Sequence, residues 1–395
     1  MNFGLYWLSR AVSSFGHSMM VVAIPWQAYL LTGSASDTAW VTATSVLPYA
    51  LVGIWAGVLA DRTPPKSLMV LTEGVSSVLI AILTVSAYTH VTSIPVLAVI
   101  AFAVGCLTVA FDASSAVMLP RMVQTDDLPS ANARVEGVSA FTRIIGPSAA
   151  GALLGTVGVP VVFMTHACTL ALATIGSLLL RAQPTAGSKQ CGESPGRSAL
   201  VGLRYVLRDR TVSRLTLSSA SLAFATGTVG AMMIPLFRGI GDYTGSQTGL
   251  IYAAGGLGWL IAAVLIAKTR FSRQVPAPVA GAAALSVVAA VATPAVLNPI
   301  ASGVGTALLD GSVYYVLIAT ITLRQIIVPR DLLGRVHSTA RSLANLGSPL
   351  GAGIAGVVAA GLGPRGSWLL LAPMAMVVTL VMLARAVRLG KTVSV

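Results

Sequence analysis

Ionisable side chains stand inside long apolar stretches of this 395-residue sequence, among them His17, Asp112, Arg143, His166 and Asp310. Only 9% of the residues are charged and 55% are hydrophobic, so a charge kept in such surroundings needs a partner, water or a function. A carboxylate and a guanidinium can pair, and a carboxyl or an imidazole can take up and release a proton. That chemistry is ion pairing and proton transfer. Covalent catalysis has no equivalent footing, because no paired His-Glu metal motif, Gly-x-Ser-x-Gly elbow or Cys-His constellation occurs in the apolar stretches. Cys106, Cys168 and Cys191 share no metal spacing. No metal, no cofactor, no disulfide framework and no enzymatic activity are therefore expected.

The elements that must position these residues are membrane helices. Soluble proteins carry roughly 25% charged residues, far more than this chain, so most of its surface must face lipid. A hydrocarbon core of about 30 Å calls for about 20 apolar residues per helix. Twelve segments meet that need: 5–31, 39–60, 67–88, 93–118, 133–157, 159–181, 213–237, 247–267, 276–293, 298–321, 337–361 and 366–385. The fold class expected is an all-α polytopic membrane protein. The 25 Lys and Arg against 12 Asp and Glu give a net charge of +13, which in a soluble domain would suggest nucleic acid. Here the basic residues gather in the even-numbered turns, with Arg62 and Lys66, Arg121 and Arg134, Lys268, Arg270 and Arg273, and Arg324, Arg330 and Arg335. Only Arg238 and Arg365 fall on the other side, so the positive-inside rule makes both termini cytoplasmic and leaves no nucleic-acid partner.

The halves repeat. Ile24-Pro25 with Gly33-Ser34 returns as Ile234-Pro235 with Gly245-Ser246, and Gly146-Pro147 with Gly151 returns as Ser348-Pro349 with Gly353. The expected organisation is a six-helix bundle over 1–181, a cytoplasmic linker over 182–212 with a short surface helix, and a second six-helix bundle over 213–395. No ATPase domain fits. Gly390-Lys391-Thr392 lacks the phosphate loop's upstream glycine, Arg385 standing in its place. Uphill transport would draw on an ion gradient.

At 1.5 Å per residue, Asp112 and Arg143 lie about 9 and 15 Å from the cytoplasmic ends of spans four and five. They are expected to pair, either as a proton-sensitive switch or as a static brace. Asp310 lies about 16 Å deep in span ten. It reads as a proton carrier, as a site for a cationic substrate, or as a neutral acid bonded to a neighbouring helix. Glu73, Glu136 and Arg341 sit near the cytoplasmic face, where snorkelling into solvent is the simpler expectation. Trp26, Tyr29, Tyr252, Trp259 and Tyr314 offer an aromatic wall for an apolar compound, or ordinary packing and interface anchors.

The turn after span two reads Gly57-Val58-Leu59-Ala60-Asp61-Arg62-Thr63-Pro64-Pro65-Lys66. It resembles the signature of the major facilitator superfamily, with Pro64 and Pro65 in place of that motif's Gly and second Arg. The resemblance implies a fold of two pseudo-symmetric six-helix bundles and a cytoplasmic gate at Gly57, Asp61, Arg62 and Lys66. Span five carries Gly146, Pro147 and Gly151, similar to the Gly-Pro motif of exporters in that superfamily. With Gly16-His17, Pro25-Trp26, Asn132 and Glu136, the pattern looks most like the branch of macrolide-efflux and enterobactin exporters. What the resemblance implies is a proton-coupled exporter of small, largely hydrophobic compounds, working as a monomer in the inner membrane. Transport of a siderophore or other metabolite, in either direction, and a non-transporting receptor are the alternatives.

Overall fold

The computed structural model describes residues 2–180, 195–269, 277–329 and 332–390. Among these residues the chain is helical and has no strand: α1 (Asn2–Thr32), α2 (Ala35–Leu51), α3 (Gly53–Arg62), α4 (Pro65–Tyr88), α5 (Ile94–Met118), α6 (Leu128–Thr156), α7 (Val159–Leu179), α8 (Pro195–Arg208), α9 (Arg210–Ile234), α10 (Gly245–Ala267), α11 (Ala277–Ala295), α12 (Pro299–Ile327), α13 (Leu333–Asn345) and α14 (Gly347–Gly390). Most expected spans are single helices. The second is parted at Val52 into α2 and α3, and the eleventh joins α13 to the first part of α14. At Gly363 the φ angle of 70° turns the chain back, and the rest of α14 forms the twelfth.

Among the described residues, eight helical stretches are long and apolar enough by composition to cross a membrane, the last of them, Leu333–Ala386, holding both final passes. The remaining passes are diluted or divided. α1 carries Arg10, His17 and Gln27, α6 carries Arg134, Glu136 and Arg143, and α2 and α3 are only 17 and 10 residues long. The passes hardest to recognise by apolarity alone include those holding candidate functional residues.

Contacts divide the chain into two compact units. Unit 1 comprises Met1–Gly33, Thr44–Cys191 and Thr244–Ala253; unit 2 comprises Ser34–Ala43, Gly192–Tyr243 and Ala254–Val395.

In unit 1, α4 shows the membrane form of amphipathicity. Leu71, Val78, Ile82 and Val85 are exposed along one face, while Leu68, Thr72, Glu73, Ser76 and Ile80 are buried on the other. The polar residues thus point inward and the aliphatic ones outward, toward the lipid the composition requires. Pro64 disfavours helical geometry at Thr63, which is extended and ends α3, and Pro65 then opens α4 at a first-turn position where no N–H is needed. Lys66 Nζ donates to Leu180 O at 2.6 Å, tying the start of α4 to the end of α7.

Unit 2 is built on close contact between α9 and α14. A Cβ on Gly227 would collide with Ser348, and one on Gly347 or Gly351 would collide with the backbone of Ala220 or Phe224. Small residues let the two backbones approach where lipid supplies no hydrophobic drive between helices. Trp368, fully buried, donates its indole N–H to Ala290 O at 2.9 Å and joins α14 to α11. Helix α8 packs Val206 among Val212, Val328, Val336 and Ala340, and leaves Leu207 exposed. The short helix expected in the linker corresponds to α8, and residues 182–194 of the linker lie outside the described residues.

Candidate functional site

The richest polar constellation lies inside unit 1, along one face of α1. Tyr6, Arg10, Ser13 and His17 follow each other at helical spacing and meet a matching row on α5, Thr108, Asp112 and Ser115. Tyr6 shares a hydrogen bond with the Ser115 hydroxyl. Arg10 Nη2 donates to Asp112 Oδ1 at 2.9 Å, and its guanidinium lies 5.0 Å from the centroid of the Phe111 ring. The pair is partly buried, with side-chain exposures of 21% for Arg10 and 43% for Asp112. Water therefore reaches the carboxylate more readily than the guanidinium.

Asp112 is paired, but its partner is Arg10 where the sequence reading set Arg143. Arg143 is an exposed residue of α6. The reason is register: α1 turns Arg10 onto the same face as His17, directly level with the polar row of α5. Depth along two sequential helices does not settle which faces meet.

His17 sits between two acceptors. Its Nδ1 lies 3.1 Å from Ser13 O and its Nε2 2.9 Å from Thr108 Oγ1. The Thr108 hydroxyl also lies 2.8 Å from Val104 O. With Nδ1–H donating to Ser13 O, neutral His17 accepts the Thr108 proton at Nε2. With both ring nitrogens protonated, Thr108 accepts from Nε2–H and turns its own O–H to Val104 O. Either protonation state leaves both ring nitrogens hydrogen-bonded, and the Thr108–Val104 bond is added when the ring is doubly protonated. The ring of His166, on α7 and fully buried, meets that of His17 edge-on at 4.9 Å.

Glu73 departs from the snorkelling expected of it. It is 2% exposed, and its Oε2 accepts a hydrogen bond from Ser177 Oγ of α7 at 3.0 Å. Glu136 and Arg341 are exposed. Arg324, placed in a loop by the sequence reading, is 2% exposed in α12 and donates to Ser219 Oγ of α9 at 3.2 Å. The Ser and Thr residues spaced opposite these charges are the signal that would have found Arg10, Thr108, Glu73 and Arg324.

In unit 2, the Asp310 carboxylate faces Gly255 so closely that a Cβ there would strike Oδ2. One turn along α12, Tyr314 stacks on Trp259 of α10, ring centroids 4.2 Å apart and planes inclined by 20°. Asp310 and this aromatic pair share one surface of α12. Tyr252 is partly buried in unit 1, Trp26 is buried and Tyr29 is half-buried.

Gly146, Pro147 and Gly151 act through shape. A Cβ on Gly146 would collide with Ser18 of α1, and one on Gly151 with Gly245 and Gly249 of α10. Pro147 also removes the N–H that would bond Arg143 O, which favours a bend in α6. Of the gate motif, Gly57 has open space at its Cα and Arg62 is exposed. The Asp61 side chain lies outside the described residues. No cluster of three or more His, Cys, Asp or Glu suited to a metal occurs among the described residues.

Membrane-length helices that bury ionisable side chains between small-residue contacts define a polytopic transporter fold. The family model of the Major Facilitator Superfamily matches residues 6–348, and the chain belongs to that superfamily. It is 29% identical to y4rN, an MFS-type transporter of Sinorhizobium fredii, over 366 residues covering 89% of this chain and 87% of that protein. It is 25% identical to the enterobactin exporter EntS of Escherichia coli over 276 residues, 69% of this chain and 64% of that one. Among solved structures, the nucleoside transporter NupG superposes with a TM-score of 0.79 at 12% identity, covering 97% of this chain and 99% of that one. An inward-facing bacterial homologue of the human lysosomal transporter Spinster gives 0.74 at 16% identity, with 98% and 95% covered. These likenesses establish the fold.

Proposed function

We propose that the protein is a proton-driven exporter of small, largely hydrophobic compounds, working by alternating access in a cell membrane with both termini cytoplasmic. The observation that carries this reading is the Arg10–Asp112 ion pair inside membrane-length helices, one helical turn from Thr108 along α5 and two turns from His17 along α1. Protonating Asp112 would cancel the charge that holds Arg10 and free α1 from α5. His17 can accept the proton without losing a hydrogen bond, because the Thr108 hydroxyl has a second acceptor. A proton could thus pass between the two sites while the helices change partners. Asp310 and the Trp259–Tyr314 stack supply an acid beside an aromatic face, suited to an apolar compound or to one with a positive charge. Asp61 and Arg62 keep the gate role; Lys66 serves instead as a brace on α7. Export direction draws on the Gly146-Pro147 motif and the likeness to the enterobactin exporter.

Cells expressing the protein should accumulate less of a fluorescent hydrophobic dye than cells without it, and a protonophore should restore accumulation. Asp112→Asn should still insert and fold, with some loss of stability, yet show no protonophore-sensitive efflux. Unchanged efflux by this variant would remove Asp112 from the coupling scheme. The likeness to enterobactin exporters favours a second reading, export of a siderophore-like metabolite. Loss of secreted siderophore on deletion, with dye efflux unaffected, would select it.

A further inference from the structure

A cavity in unit 2 opens between α10 and α11 with α12 as its floor, and has a volume of about 660 Å³. Its walls are apolar: Gly258, Ile261, Ala262 and Leu265 from α10, Gly281 and Leu285 from α11. The floor is low because Ala307 and Gly311 of α12 present almost no side chain there. Polar groups gather at one end, where Lys268 is exposed and Thr269 shares a short hydrogen bond with the Tyr315 hydroxyl. Ser312, the other hydroxyl in the lining, is turned back onto Leu309 O at 2.9 Å.

Gly258 to Lys268 spans ten residues of α10, about 15 Å at the helical rise. That is half of a hydrocarbon core of about 30 Å, the depth of one leaflet. The cleft is therefore an apolar trough one acyl chain deep, wet at the end where a headgroup lies, with a cation and two hydroxyls there. We infer that this cleft is a binding site for an anionic phospholipid, its acyl chain between α10 and α11 and its phosphate on Lys268 with the Thr269–Tyr315 pair beside it. A compound carried through the protein would need a route from this trough to the other membrane face, whereas a lipid needs only the lateral opening. Basic pockets between membrane helices hold anionic headgroups by this combination of charge and apolar depth.

Native mass spectrometry of the purified full chain in detergent, with dioleoyl phosphatidylglycerol or dioleoyl phosphatidylcholine added at equal concentration, tests the site. The acyl chains are identical, so only the headgroup differs. Phosphatidylglycerol should be retained about fivefold more than phosphatidylcholine, the factor one basic residue contributes toward an anionic lipid. Lys268→Gln should abolish that preference while both lipids still bind. Gly281→Leu should displace both, since Gly281 lines the trough and a Cβ there meets open space. Thermal melting and gel filtration of both variants should match the parent. Equal retention of the two lipids by the parent overturns the proposal, as does phosphatidylglycerol retention that survives both substitutions in folded protein.

Discussion

Arg10 illustrates how one residue in a membrane helix takes its meaning from the face it shares. It is charged, yet near enough to a helix end to pass for an interfacial side chain. In the structure it is the cation that Asp112 requires, and its Nε is buried with no hydrogen-bond partner among the described residues. Its charge is met chiefly by Asp112, with the Phe111 ring beside it. Removing one member should therefore leave the other uncompensated. Arg10→Met is expected to lower stability by about 1–2 kcal/mol, less than a fully buried pair because Asp112 keeps 43% of its exposure. The double variant Arg10→Met with Asp112→Asn should recover more than half of that loss, read by thermal unfolding in detergent. Additive losses would show that the two side chains do not depend on each other. Glu73 carries the same lesson, buried against Ser177 where distance from the helix end alone suggested solvent.

At the scale of elements, glycines set the closest helix contacts in both units. In unit 1, Gly151 and Gly155 of α6 lie against Gly245, Ser246 and Gly249 of α10. In unit 2, Gly356 of α14 lies against Ser36 and Ala39 of α2, and Ser36 Oγ donates to Gly356 O at 2.6 Å. A helix pair that touches through glycine has no side chain with which to keep its distance. Gly151→Val is expected to destabilise the protein by about 1–3 kcal/mol, the range for overpacking, since the backbone of α10 must move. Gly137→Ala, also in α6, meets nothing within reach of its new Cβ and should raise stability by about 0.5–1 kcal/mol through helix propensity. Melting temperatures moving in opposite directions for the two variants would check the assignment of close and open faces. Two losses of equal size would refute it.

At the scale of the whole molecule, charge placement sets the expected orientation. Asp127 follows the fourth pass and Asp242 follows the seventh, and both are exposed. In a chain whose three native cysteines are replaced, Asp242→Cys should react with a membrane-impermeant maleimide on intact cells. Asp127→Cys should react only after the membrane is opened. The reverse pattern would invert the topology and with it the direction of every gate. Orientation is chosen as the chain inserts, one loop at a time, which is why it follows from the count of Lys and Arg near each span.

Sequence by itself determined the class of protein and most of its passes. The 9% of charged residues, the apolar segments and the Gly-Pro matches are local properties, and burial in lipid depends on composition over about 20 residues. It also picked out Asp112, His17 and Asp310, because a charge or an imidazole in an apolar run is conspicuous wherever the run ends up. Tertiary structure alone decided the partners. Asp112 meets Arg10 of α1, His17 meets Thr108 and His166, and Asp310 lies against Gly255, each through a helix face that spacing along one chain segment cannot assign. The outward apolar stripe of each helix carries no mark of which neighbour its inward face will touch. Only the packing of several helices together fixes that rotation, and the chemistry of the site depends on it.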